Sequence, residues 1–81
     1  MNIQLVTPAP LHINNGNRIT ALRWAALLKK LRHRVRITQS YDGRSCDALI
    51  ALHARRSADS IRRFHRLHPE SPLIVVLTGT D

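Results

Sequence analysis

Residues 47–52 read DALIAL, and the continuous apolar run after Asp47 is the stretch that decides the fold. A second such run, LIVVL, occupies residues 73–77. Strands covered on both faces have this pattern, whereas antiparallel sheets usually keep one face in water and seldom show it. The two runs therefore predict buried strands in a parallel sheet.

Two more strands are predicted in the first half of the chain. Residues 3–7 (IQLVT) are prone to β structure and are followed by Pro8 and Pro10, which cannot continue a ladder or a helix. Residues 35–38 (VRIT) alternate between apolar and polar, as in a half-buried strand toward a sheet edge. A turn is predicted at residues 41–44.

Two stretches have the periodicity of amphipathic helices. The first covers residues 18–31, and the second covers residues 57–68 and ends at Pro69. The predicted inner face of the first helix consists of Ala21, Trp24, Ala25, Leu28 and Leu31, with Leu27 beside them. That of the second consists of Ala58, Ile61, Phe64, and Leu67 or His68.

The predicted fold is therefore α/β, an open parallel sheet in the order β-α-β-β-α-β with a helix on each side, as in part of a Rossmann-like domain. The weakest link is the segment between Thr38 and Asp47. Its eight residues are short for a parallel crossover, although fully extended they span about 26 Å, enough to run back along a short strand.

Length and composition exclude several classes of protein. The chain has 81 residues, a net charge of +8 and one cysteine, Cys46. Such a length allows one small domain, and a single cysteine excludes a scaffold held by internal disulfides. The longest apolar runs are too short for a membrane span, and the start lacks a basic segment before an apolar core. We therefore expect a cytoplasmic protein that does not contact membranes.

Ligands of open parallel sheets bind outside the carboxyl ends of the strands, which directs attention to residues 7–18, 53–57 and 78–81. Gly16, Asn17 and Arg18 open the first helix and combine backbone N–H groups, a helix dipole and a cation that suit an anion. The spacing matches neither a dinucleotide fingerprint nor a P-loop. An ordinary loop with a helix cap is the alternative.

The segment before the second helix repeats this chemistry. Arg55, Arg56 and Ser57 predict a phosphate cradle, and His53 is a candidate hydrogen-bond donor or acid–base. A solvated pair of arginines and an ordinary loop histidine are the alternatives. After the last strand, Asp81 is a candidate base or hydroxyl ligand.

Other patterns are weaker. His65 and His68 share a helix face without an evident third ligand, so no metal and no cofactor are predicted. Arg62, Arg63 and Arg66 form a basic face that could meet nucleic acid, but the chain has three aromatic residues and no recognisable nucleic-acid-binding motif.

Four strings carry a resemblance to a known family: residues 3–10 (IQLVTPAP), 16–24 (GNRITALRW), 52–57 (LHARRS) and 77–81 (LTGTD). In order, and across essentially the whole chain, they resemble the N-terminal part of GT4-type glycosyltransferases of the GT-B fold. The resemblance is greatest to the selenosugar synthases of selenoneine biosynthesis. It implies transfer of a sugar from a UDP-sugar to selenophosphate, with inorganic phosphate released.

Enzymes of this kind hold the acceptor mainly in an N-terminal Rossmann-like domain and the nucleotide sugar mainly in a second one. The resemblance thus implies that residues 1–81 are a partial acceptor-side domain without the nucleotide-sugar domain, a fragment inactive alone. It aligns the family's loops with candidate acceptor-binding residues, namely Gly16, Asn17, Arg18, Arg55, Arg56, Ser57, Thr78, Gly79 and Thr80. His53 and Asp81 are the candidates for orienting or deprotonating a reacting group.

Two other functions stay open at this point. A small basic nucleic-acid-binding module would account for the net charge, and its affinity would fall steeply with salt. The other is a module that dimerises through an unpaired sheet edge or through apolar surface left by absent strands, since exposed edges invite pairing.

Overall fold

The structure, a computed structural model, describes residues 1–8 and 16–77. Its elements follow the predicted order: β1 (Asn2–Val6), α1 (Gly16–Lys30), β2 (Arg34–Thr38), β3 (Ala48–Leu52), α2 (Ala58–Leu67) and β4 (Leu73–Val76). The predicted α/β class and element order are confirmed, with boundaries that differ by one or two residues.

The four strands form one parallel sheet in the order β2-β1-β3-β4. Val6 in β1 lies opposite Thr38 on one side and opposite Ala51 on the other. The predicted parallel arrangement is therefore confirmed, including its weakest link. The β2–β3 connection runs back without a helix, and the backbone N–H of Tyr41 within it donates to the Ser60 hydroxyl of α2 at 2.9 Å.

The core has two parts, one on each face of the sheet, because alternate strand residues point to opposite faces. One face carries Ile3, Leu5 and Ile50, against which Ala21, Trp24 and Leu28 of α1 pack. The other carries Val6, Leu49 and Ala51, against which Tyr41 and Phe64 pack. One helix covers each face, as the periodicity predicts.

The inner face of α1 is narrower than predicted. Leu27 is 58% exposed and Leu31 is 68% exposed. The helix ends at Lys30, and Arg32 adopts a left-handed φ of 70° while the His33 N–H donates to the Leu28 carbonyl at 3.1 Å. This closure is typical of helix C-termini, and it places Leu31 in the turn between α1 and β2 rather than on the packed face of the helix.

The two apolar runs have different environments. All five residues of β3 are buried, whereas Ile74, Val75 and Leu77 in or beside β4 are 49%, 39% and 74% exposed. The expectation that residues 73–77 are covered on both faces is therefore wrong. The physical reason is position, since β4 is the last strand of the sheet order and the two described helices pack mainly over the other strands.

Neither α1 nor α2 combines the length and the apolarity needed to cross a bilayer.

Candidate functional site

The strand order creates a topological switch point at the carboxyl ends of β1 and β3, the position at which open α/β sheets usually have their ligand crevice. From β1 the chain passes through α1 to β2 on one side, and from β3 it passes through α2 to β4 on the other. The two helices lie on opposite faces, and each begins at this edge. Open α/β sheets bind ligands at such a position, where the connections from two neighbouring parallel strands run to opposite sides. We call it the switch crevice, bounded by Thr7, residues 53–57 and the first turn of α1.

Thr7 lies at the carboxyl end of β1 and carries a buried polar group without a partner. Its backbone N–H donates to the Thr38 carbonyl at 2.9 Å, and the residue is 1% exposed. Within the described part of the chain, its hydroxyl oxygen has no hydrogen-bond partner. Leaving such a group unpaired costs about 1–3 kcal/mol. A threonine ending a buried strand was the available sequence signal, and our prediction used it only to mark the loop.

His53 lies at the carboxyl end of β3 in an unusual backbone conformation. Its φ is 61°, a region that non-glycine residues rarely occupy, and the residue is buried. Its Nδ1 accepts a hydrogen bond from the Arg56 backbone N–H at 3.3 Å, which assigns the proton of the neutral ring to Nε2. Its carbonyl accepts from the Ser57 N–H at 3.0 Å, so His53 closes the turn that leads into α2.

Ser57 uses its hydroxyl within the fold. The hydroxyl donates to the Leu52 carbonyl at 2.6 Å, and the residue is 1% exposed. Although Ser57 precedes the first residue of α2, its side chain makes no capping hydrogen bond to the helix. The sequence predicts that the Ser57 hydroxyl binds an anion. In the structure this hydroxyl instead links the end of β3 to the start of α2.

The three arginines predicted to bind an anion lie near the starts of the two helices. Arg55 and Arg56 are exposed in the turn before α2, and Arg18 is partly exposed in the first turn of α1, which Gly16 and Asn17 open. Connectivity thus brings both predicted loops to one edge. Thr78, Gly79, Thr80 and Asp81 lie outside the described residues.

Two of the three arginines on the basic face of α2 contact other residues of this chain. Arg62 forms an ion pair with Asp59 at 2.5 Å, and Arg63 donates to the Tyr41 carbonyl at 3.1 Å while lying over its ring. The ring of His68 packs against Phe64, with centroids 5.3 Å apart. Residues 1–8 and 16–77 contain no group of three or more His, Cys, Asp or Glu side chains that could hold a metal ion.

Neither a protein-family model nor a curated protein sequence matches this chain. The geometry of the switch crevice is therefore the basis for a functional proposal.

Proposed function

We propose that this chain binds a phosphate-type oxyanion in the switch crevice and forms the acceptor side of a glycosyltransferase. The observation that carries the proposal is that the chain leaves the parallel strands β1 and β3 toward opposite sides of the sheet, so that two helices begin at one edge. Helix N-termini favour anions through their N–H groups and dipoles, and neighbouring guanidinium groups add charge-assisted hydrogen bonds.

The identity of the reaction rests on the sequence resemblance. We propose a selenophosphate-like acceptor and a UDP-sugar donor, with the sugar joined to selenium and inorganic phosphate released. Arg18, Arg55 and Arg56 would hold the acceptor, and Gly16 would let the backbone approach it. In enzymes of this kind a second domain holds most of the nucleotide sugar, so the acceptor is the ligand that we propose for residues 1–81.

The described contacts refine the role of His53. Because its Nδ1 accepts the Arg56 N–H, the neutral ring carries its proton on Nε2 and suits hydrogen-bond donation better than proton abstraction. Donation to an oxyanion is therefore the role we propose for it. Asp81, the alternative group for deprotonation, stays a candidate on sequence grounds alone.

The experiment that tests the proposal is a titration of the ¹⁵N-labelled chain with inorganic phosphate, and with selenophosphate under reducing conditions. We expect saturable amide shifts at Thr7 and residues 53–57. The double variant Arg55→Ala/Arg56→Ala should bind at least about tenfold more weakly, equivalent to about 1.4 kcal/mol, because it loses two charge-assisted contacts.

The matched control is Arg23→Ala/Arg66→Ala, which removes the same charge from two exposed helix positions outside the crevice. It should bind as the unmodified chain does. Equal weakening in both double variants would mean that only net charge matters, and an absence of shifts at residues 53–57 would contradict the proposal directly.

A further inference from the structure

A patch of exposed apolar and basic side chains lies at the amino-terminal edge of the sheet, away from the switch crevice. It is formed where α1 ends and β2 begins, together with the residue that precedes β1. The backbone N–H of Arg34 donates to the Met1 carbonyl at 3.0 Å, which holds Met1 beside this turn. We call this patch the basic tip and define it as Met1 and residues 27–34.

The basic tip carries three large apolar side chains that are mostly exposed. Met1 is 57% exposed, and Leu27 and Leu31 are exposed to a slightly greater extent. Leu31 follows Leu27 by one helical turn, and its N–H donates to the Leu27 carbonyl at 3.2 Å. The two leucines are therefore neighbours on one side of the helix end. Single exposed apolar residues are common, but a group of them rimmed by polar residues marks an interaction surface.

All the charged side chains of the basic tip are cations. Four exposed basic residues occupy it, namely Lys29, Lys30, Arg32 and Arg34. Among the residues that the structure describes, no carboxylate forms an ion pair with any of the four. Asp47 lies at the same edge, where its carboxylate accepts the Asn2 backbone N–H at 2.7 Å, and it offsets one of the four charges. The basic tip therefore keeps an excess of positive charge, which favours an anionic partner.

The kinds of side chain present distinguish among anionic partners. The bases of single-stranded nucleic acid stack on exposed aromatic rings, whereas Tyr41 and Phe64 are buried and Trp24 packs against the sheet. Protein interfaces are enriched in aromatic residues and depleted in lysine. Aliphatic side chains among lysines and arginines suit a lipid surface, where apolar groups enter the boundary of the acyl chains and cations meet anionic headgroups.

We propose that the basic tip docks this chain on the surface of an anionic lipid bilayer. Met1, Leu27 and Leu31 enter the boundary of the acyl chains, and the four cations lie in the headgroup layer, because long basic side chains keep their charged ends in water. The expectation of no membrane contact rested on the shortness of the apolar runs, which bears on spanning segments, and docking on a surface requires none. The basic tip and the switch crevice lie at opposite edges of the sheet, so this inference does not depend on the proposed function.

Co-sedimentation with sucrose-loaded vesicles tests the docking. Vesicles made from equal amounts of phosphatidylcholine and phosphatidylglycerol are compared with vesicles of phosphatidylcholine alone at physiological ionic strength. We expect the partition coefficient of the chain to be at least about tenfold larger for the anionic vesicles, because each cation near the surface adds to the attraction. The bound fraction should fall as salt is added, since salt screens that attraction.

One pair of variants separates the cations of the basic tip from the net charge of the chain. Lys30→Gln/Arg32→Gln should weaken binding to the anionic vesicles at least about tenfold. Arg62→Gln/Arg66→Gln removes the same number of cations from exposed positions of α2 and should weaken binding about twofold or less. Because all four positions are exposed, both variants should fold, which circular dichroism checks.

A second pair tests the apolar contact. Leu27→Gln/Leu31→Gln should weaken binding at least about tenfold, because the substituted side chains do not enter the acyl boundary. Leu67→Gln/Ile74→Gln is the matched control, since these two side chains are 54% and 49% exposed and lie outside the basic tip. It should bind as the unmodified chain does.

Three results would each overturn the proposal. The first is equal binding of the folded chain to both kinds of vesicle. The second is equal weakening by the two members of either pair, which would mean that net charge or general apolarity controls binding. The third is binding to a short duplex RNA without binding to the anionic vesicles, which would assign the basic tip to nucleic acid.

Discussion

At the scale of single residues, Tyr41 shows how one side chain allows a short crossover. It is 1% exposed, and its ring lies edge-on to Phe64 with centroids 5.4 Å apart. Ser60 and Arg63 of α2 bond to its backbone N–H and carbonyl. These contacts attach the β2–β3 connection to α2, so a segment without a helix has a fixed path across the sheet.

The buried hydroxyl of Tyr41 has no hydrogen-bond partner within the described residues. We expect Tyr41→Phe to raise the free energy of unfolding by about 1 kcal/mol, since it removes an unpaired polar group and keeps the ring. Urea denaturation followed by circular dichroism measures this. As a control, Tyr41→Ala also removes the ring and should lower stability by about 3–5 kcal/mol. A large loss of stability in Tyr41→Phe would mean that the hydroxyl has a partner.

At the scale of elements, the two edges of the sheet differ in how they resist pairing with another strand. β2 carries Arg34 and Arg36, and charged side chains on an edge strand discourage association. β4 has the sequence LIVV and exposes Ile74 and Val75 in part. The sequence alternative of edge dimerisation therefore has a specific location to test, which is β4.

If the chain self-associates through β4, Ile74→Lys should weaken that association at least about tenfold, because it places a charge on the unprotected edge. Sedimentation velocity over a range of protein concentrations measures this. Leu22→Lys is a matched control, since Leu22 is 47% exposed and Ile74 is 49% exposed, but Leu22 lies on α1. If both variants weaken association equally, net charge rather than the β4 edge controls it.

At the scale of the whole molecule, buried ionisable groups couple stability to pH. Burial raises the pKa of the Tyr41 phenol above its ordinary value of 10.0 and that of the Cys46 thiol above 9.0. The unfolded chain therefore releases these protons at a lower pH than the folded chain does. Stability is fully present below the ordinary pKa values and is lost as pH rises through the raised ones.

The free energy of unfolding should accordingly begin to fall as the pH approaches these ordinary values and should continue to fall above them. The double variant Tyr41→Phe/Cys46→Ala lacks both groups and should lose less stability over the same rise in pH. Urea denaturation at a series of pH values compares the two chains. Parallel curves for both would show that neither group is responsible for the alkaline loss.

The sequence predicts more of the fold than of the site. Strands and helices follow from local periodicity, and their order was predicted correctly. In the site, the sequence identifies residues 53–57 as a loop at a strand end, but not that the Ser57 hydroxyl bonds to the Leu52 carbonyl. The unpaired hydroxyl of Thr7 was also missed, because burial of a single polar atom depends on what packs over it.

The sequence by itself determined the α/β class, the parallel strands and the amphipathic helices, because each depends on residues within one turn or one strand. Only the tertiary structure decided that β3 is central while β4, with a similar apolar run, lies at the edge. It also decided that Met1 and Arg34 meet at the basic tip. These relations join residues far apart in the chain, and the physical reason is that strand pairing and packing, rather than local periodicity, select such neighbours.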